Sequence, residues 1–426
     1  MGRMIELPSM HELLSFVPTA TYGDSAAPTV LPGQAVPEGL PCATTQARGG
    51  ALHLSSVLPA VSSALGTPVA TAIHQKPQAL QEALGIPDAR SAVVVLVDGL
   101  GYWNLQEFTG HAPYLRSLLK NSVNQRPIST CSPSTTVAAM GTFGTGTCPG
   151  LTGMTGYTQY NPEQDSIAQL IQFKNALDPL DLQRQPTIFE QLAEQDVRAT
   201  SVGLYKFAHS PMTKAALRGS NYISDERPNQ RVKKAALAAK EPGLTYLYLR
   251  DVDKNGHASG WGSEPWVEAL EKADAQLGLL RRSVPQGTLI VIVADHGMVA
   301  AEGGMRIDIA KEPQLAQGVR LVGGEPRCVS LYAQPGEDAQ DIAQRWRDRL
   351  GDKAWIRTCQ ELVDSGFYGP VDPRIMPVIG DVVACAAGNV TLVDSRTQTE
   401  MAMSLPGVHG SQTMLEMDIP CLIDVA

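Results

Sequence analysis

The sequence predicts an α/β protein, a doubly wound and mostly parallel sheet with helices on both faces, plus a small α+β insertion. Three stretches carry that expectation: Ala92–Val97 in SAVVVLVDG, Leu244–Leu249 in LTYLYLRD, and Thr288–Ala294 in TLIVIVADH. The first is continuously apolar and β-branched, the mark of a strand buried on both faces, and the other two read as strands with the same punctuation at their ends. Helical patterns stand between and around them, at APYLRSLL, TIFEQLAEQ and WVEALEKADAQLGLLRRS. Strands alternating with helices call for parallel pairing through crossover connections.

In chain order, residues 1–50 are rich in Pro, Gly, Ala, Ser and Thr without periodicity and read as an irregular arm. Two helical patterns follow, LHLSSVLPAVSSAL and KPQALQEALG, the second closed by Gly85 and Pro87. The α/β core is assigned to 51–307 and 393–426. Between them, 308–392 reads as the insertion: a strand in EPRCVSLYAQ, a helix in DIAQRWRDRLG, a strand and helix in DKAWIRTCQELVDSG, and a strand in IGDVVACAAGNVTLV. The chain closes on a short apolar strand, DIPCLIDV.

Composition narrows the function classes. With 426 residues, 43% hydrophobic and 18% charged, the chain can bury a large core. A net charge of −9 argues against binding a nucleic-acid polymer, which needs clustered Lys and Arg. No apolar run approaches the roughly 20 residues needed to span a bilayer, and the N-terminus lacks a secretory pattern, so a cytoplasmic location without membrane attachment is expected. Seven scattered cysteines with no CxxC pair read as reduced thiols.

All three strands end on chemistry. Asp98 follows the first, Asp251, Asp253 and His257 the second, and Asp295 and His296 the third; His409 sits in the Gly-flanked loop LPGVHGS. In open α/β sheets ligands bind at the carboxyl ends of the strands, so these residues describe one site. No GxGxxG follows a strand, which disfavours a dinucleotide fold. In PSTTVAAMGTFGTG, Thr135 and Thr136 stand at a predicted helix start, a natural seat for an anion. A threonine hydroxyl needs a base or a metal beside it to act as a nucleophile. Carboxylate and imidazole donors without thiolate suit zinc, with manganese or iron as alternatives, and six such ligands suffice for two divalent metal ions.

The order Asp98, Thr136, Asp253-x-x-x-His257, Asp295-His296, His409 resembles the alkaline phosphatase superfamily, in particular its nucleotide pyrophosphatase/phosphodiesterase branch. The resemblance covers about 90–300 and 400–420. Its most specific pieces are Asp98-Gly99, Thr145-Gly146, DKNGH at 253–257, ADHG at 294–297 and GVHGS at 407–411. It implies Thr136 as nucleophile, nine residues before Thr145, with Thr135 as the alternative. It also implies one metal held by Asp253, His257 and His409, and a second by Asp98, Asp295, His296 and the Thr136 oxygen. The activity implied is hydrolysis of phosphate diesters or nucleotide pyrophosphates, on a small phosphate-ester or nucleotide substrate, through a phospho-threonine intermediate.

Three other outcomes stay open: a phosphomonoesterase, a phosphonate hydrolase, and a metal-binding scaffold without activity. CSPST at 131–135 lacks the arginine of a sulfatase signature. The chain departs from the branch where an Asn usually contacts the phosphoryl group: Tyr157 stands near that position and is a candidate substrate contact. Lys206 and His209 are candidates to line the cleft, Trp103 and Tyr205 to stack on a base, and Asp251 and Asp274 read as solvated or capping acids.

Overall fold

The protein is described here by a computed structural model covering residues 7–25 and 48–426. Of the arm expected at 1–50, residues 1–6 and 26–47 lie outside the described residues. The remainder lies on the domain: Phe16 bridges to Thr413 and stacks on Trp355 with ring centroids 4.2 Å apart.

Among the described residues, ten strands build the two larger sheets: β1 (Ser91–Val97), β2 (Ala199–Gly203), β3 (Asn221–Ser224), β4 (Gly243–Leu249), β5 (Leu289–Val293), β6 (Val319–Glu325), β7 (Cys328–Ala333), β8 (Ala354–Thr358), β9 (Val382–Ala386) and β10 (Cys421–Val425). Six form the central sheet, in the order β10-β5-β1-β4-β2-β3. All pairs are parallel except β10 against β5. The all-apolar runs explain the placement, because every residue of β1 and β5 is buried and helices cover both faces. Burying each Val, Leu or Ile stabilises by about 1.5–3 kcal/mol, so the loops at the sheet edge hang on a rigid frame.

The helices packed around this sheet include α1 (Leu54–Ala64), α2 (Thr136–Thr145), α3 (Asp251–Ser259) and α4 (Glu264–Ser283). Extended Thr135 precedes α2, and left-handed Gly146 ends it. Its small residues let it pack closely: a Cβ on Gly144 would lie 1.7 Å from the Ala216 carbonyl oxygen. No described helix is long and apolar enough to cross a membrane, and the six described cysteines are free.

A second, antiparallel sheet has the order β6-β7-β9-β8 and its own apolar core around Ile342, Trp346, Leu331 and Val382. Two details differ from the sequence reading. Strand β6 was not anticipated, because its VRLVGGE ends on two glycines and a glutamate, residues of low strand propensity. The stretch read as one strand in IGDVVACAAGNVTLV is two: it breaks at Ala387–Val390, and Thr391–Val393 leaves to pair with Arg306–Asp308.

Candidate active site

Strand register alone brings the first two carboxylates together. Leu96 pairs with Val293, so two residues further on Asp98 and Asp295 stand side by side past the ends of β1 and β5. On the other flank Val97 pairs with Leu249, and the chain leaving β4 turns at once into α3. The helix puts Asp253 and His257 one turn apart on one face, with His257 Nε2 3.3 Å from Asp253 Oδ1. The C-terminal loop adds His409, whose Nε2 lies 3.2 Å from His257 Nε2 and 3.8 Å from Asp253 Oδ1.

The three histidines share one arrangement. Nδ1 of His257 meets the Gly407 carbonyl at 2.8 Å, Nδ1 of His296 the Gly297 carbonyl at 3.0 Å, and Nδ1 of His409 the Ser134 carbonyl at 2.9 Å. A carbonyl only accepts, so each Nδ1 carries the proton and donates, leaving the Nε2 lone pair aimed into the site. The His296 and His409 rings stack at 3.5 Å, and burial holds both in the neutral form, His296 at about 4 and His409 well below the usual range.

The carboxylates are buried and incompletely bonded. Asp98 accepts from the Tyr248 hydroxyl, and Asp295 Oδ1 from the backbone N–H groups of Gly99 and His296 at 3.0 and 3.1 Å. Asp98 Oδ1, Asp253 Oδ1 and Asp295 Oδ2 have no hydrogen-bond partner among the described residues. Burial first, then the neighbouring carboxylate, raises Asp98; burial and the Asp98 charge push Asp253 up to about 7. Buried oxygens without partners, and two imidazole lone pairs facing each other at 3.2 Å, are unfavourable unless cations lie among them. The donor set therefore fits divalent metal ions.

Ligand atoms of Asp253, His257 and His409 lie within 4.8 Å of one another, as do those of Asp98, Asp253 and His296, so Asp253 belongs to both groups. Asp295 adds its Oδ2 at 3.4 Å from His296 Nε2. Thr136, the first residue of α2, has its hydroxyl 3.2 Å from the same nitrogen. Thr135 lines the same cleft but is only 1% exposed.

The cleft above this edge has a volume of about 1450 Å³. Tyr157 lines it, 39% exposed, its hydroxyl accepting from Gln169 Nε2 at 2.7 Å. Lys206, His209 and Tyr205 also line it. Trp103 does not: it is buried in the core with Nε1 donating to Asp418 at 2.7 Å, so the expected base-stacking role is wrong for it. An isolated Trp after a strand end carries no signal of which way it faces. Asp274 caps the helix Pro113–Leu118 by accepting from the N–H groups of Tyr114 and Leu115.

Two wall residues escaped the sequence reading. Tyr248 lies within an apolar strand, where nothing marks the position that reaches Asp98. Glu325 arrives from the tip of the second sheet, outside every motif.

Fold and site together define an α/β protein of the alkaline phosphatase type, with its polar residues gathered at the carboxyl edge of the sheet. The sequence matches the type I phosphodiesterase / nucleotide pyrophosphatase family over residues 92–412, and the chain belongs to that family. A venom phosphodiesterase of Naja atra is 36% identical over 67 residues, 15% of this chain and 8% of that protein. Venom phosphodiesterase 2 of Crotalus adamanteus is 37% identical over 65 residues, 14% of this chain and 8% of that protein. The matched segment thus spans less than a tenth of these relatives' length.

Among solved structures, murine ectonucleotide pyrophosphatase / phosphodiesterase 5 superposes with a TM-score of 0.62 at 17% identity, covering 78% of this chain and 87% of that one. Phosphonoacetate hydrolase from Sinorhizobium meliloti 1021, in complex with phosphonoformate, gives 0.61 at 19%, covering 79% and 90%. These likenesses establish the shared fold.

Proposed function

We propose that this protein is a two-metal hydrolase of phosphate diesters or nucleotide pyrophosphates that works through a covalent phospho-threonine intermediate on Thr136. The observation that carries the reading is the convergence of three imidazole lone pairs and three unpartnered carboxylate oxygens beside one threonine hydroxyl at a helix start. Asp253, His257 and His409 would hold one divalent cation, and Asp98, Asp295, His296 and the Thr136 oxygen the other. When bound, such ions, zinc by the donor set, supply Lewis acidity at a hydroxyl and at phosphoryl oxygens.

The chain's own residues do the rest. Thr136 presents its Oγ1 at the start of α2, where first-turn N–H groups and the helix dipole favour negative charge on phosphoryl oxygens. The carbonyls of Gly407, Gly297 and Ser134 fix the imidazoles in one tautomer. Lys174, Lys206, Arg250 and Lys254 bring positive charge to the cleft wall of a chain whose net charge is −9, which favours an anionic substrate. A volume of about 1450 Å³ exceeds the ~300–1,000 Å³ of common ligand sites and leaves room for a nucleotide. Tyr157, which lines the same cleft, is the proposed further contact to the substrate.

The murine structural neighbour has been captured with AMP as an inactive variant, and the bacterial one with phosphonoacetate, so a phosphonate hydrolase on this fold is the rival reading. Turnover of bis-p-nitrophenyl phosphate well above that of p-nitrophenyl phosphate and phosphonoacetate is expected. The reverse ratio would replace the diesterase with the monoesterase or phosphonate reading.

A further inference from the structure

Glu325 is the last residue of β6, at a two-residue turn, Pro326-Arg327, that leads into β7. The tip of this hairpin reaches the C-terminal loop of the core and is locked there. Arg327, fully buried, donates to both carboxylate oxygens of Glu416 at 3.1 and 2.9 Å and to the Val390 carbonyl at 2.6 Å. Glu416 in turn accepts from the Ser411 backbone N–H at 3.0 Å and the Thr413 hydroxyl at 2.6 Å. Glu325 packs against the residue after His409: a Cβ on Gly410 would lie 2.7 Å from Glu325 Cγ, and Gly410 has a φ of +133°. Only glycine permits both the approach and the conformation.

The carboxyl group lines the cleft with Thr135 and Thr136, yet the residue is only 6% exposed and its buried Oε1 has no hydrogen-bond partner among the described residues. A buried polar atom without a partner calls for an explanation, and at the wall of a site a bound ligand can supply one. An ionised carboxylate there would repel a phosphate, whereas a neutral carboxylic acid donates to it.

We infer that Glu325 is a further catalytic residue, whose neutral carboxyl donates a hydrogen bond to a non-bridging oxygen of the phosphoryl group on or beside Thr136. The inference rests on the phosphoryl-transfer reading above. The surroundings agree with a neutral form. Glu416, Cys385, Cys328 and Tyr157 face Glu325, Thr135 is its hydroxyl neighbour, and Arg327 is committed to Glu416. Burial, opposed by the Thr135 hydroxyl and aided by the Glu416 and Cys385 charges, pushes its carboxyl up to about 8.

The test compares zinc-loaded wild type, Glu325→Ala and Glu325→Gln, with bis-p-nitrophenyl phosphate turnover and calorimetric binding of inorganic phosphate as readouts. Glu325→Ala is expected to lower kcat/KM about 10²–10³-fold, the size of losing one preorganised donor, and to weaken phosphate binding about tenfold or more. Glu325→Gln keeps a donor at every pH. It is expected to retain turnover within about tenfold and to lack the decline expected of the wild type above about pH 8.

Glu325→Gln as impaired as Glu325→Ala, or Glu325→Ala within about threefold of wild type in both readouts, would overturn the assignment. If Glu325→Ala fails to fold by circular dichroism, the isosteric Gln variant decides alone, and an unchanged alkaline decline overturns it. A wild type that turns over none of the phosphoesters refutes the hydrolase reading; phosphate binding then still judges Glu325 by itself.

Discussion

Nε2 of His257 and Nε2 of His409 face each other across 3.2 Å while the Nδ1 of each ring is occupied by a backbone carbonyl. Each Nδ1 is committed to its carbonyl, so the two Nε2 atoms are left to share a cation bound between them. Removing metal with a chelator is therefore expected to abolish turnover and lower the thermal midpoint. A ligand bound only by the folded state at about a thousand times its Kd contributes about 4 kcal/mol. Elemental analysis after zinc reconstitution should find two equivalents, and His409→Ala should retain no more than one. Less than one equivalent in the wild type would defeat the two-metal reading.

Metal affinity should also depend on pH in a defined direction. Asp253, whose carboxyl burial and Asp98 push up to about 7, has to lose its proton before it can bind a cation. Affinity is expected to climb as pH rises toward about 7 and to level above it. Competition titrations with a chromophoric chelator at several pH values measure this, and a flat profile between about pH 5.5 and 7.5 would contradict it.

Of the two threonines, only Thr136 places its hydroxyl against His296. Thr136→Ala is expected to reduce kcat by about 10³-fold or more, as loss of a nucleophile does. Thr135→Ala should leave most of the turnover, since its side chain makes no cap hydrogen bond to α2. Quenching a radiolabelled substrate mixture should trap label on Thr136. If Thr135→Ala is the silent enzyme instead, the register is wrong by one.

How far the sequence reached is set by the physics of each part. Strands β1, β4 and β5 announce themselves because burial on both faces leaves mainly apolar residues. The site edge was legible for the same reason, since Asp98, Asp253 and Asp295 are the first charges after such runs or within a turn of them. His409 came from its loop motif. Glu325 and Tyr248 were not legible: which side chain enters a cleft depends on hairpin placement and strand facing, neither of which leaves a local pattern. Trp103 shows the converse, since an aromatic beside a motif was buried by the packing of its helix.

A separate pH effect arises at His53, which does not line the cleft. His53 precedes α1, and its Nδ1 accepts from the Ser55 backbone N–H at 3.1 Å. Burial, then His74, lowers it from 6.5 to about 3. The folded state excludes a proton that the unfolded chain takes up, so this contribution is fully present above 6.5 and is lost as pH falls toward about 3. The gap is worth on the order of 5 kcal/mol. Urea unfolding between about pH 7 and 4 should show the loss, and His53→Asn, which keeps a cap acceptor, should reduce its slope.

The fully buried pair Arg327–Glu416 couples stability to the site. Both side chains are without solvent, so truncating either leaves an uncompensated charge, at a cost of about 3–5 kcal/mol. Glu416 also holds Ser411 and Thr413, and the loop they belong to carries His409. Arg327→Ala and Glu416→Ala should therefore both lower the unfolding midpoint and weaken the binding of one zinc ion, the one at His409, more than the other. The double replacement by Met and Leu removes both charges together. It is expected to recover much of the stability while zinc affinity stays reduced, because Ser411 and Thr413 still lack their acceptor. Denaturant titration together with zinc competition separates the two effects, and recovery of both in the double variant would show that the pair serves packing alone.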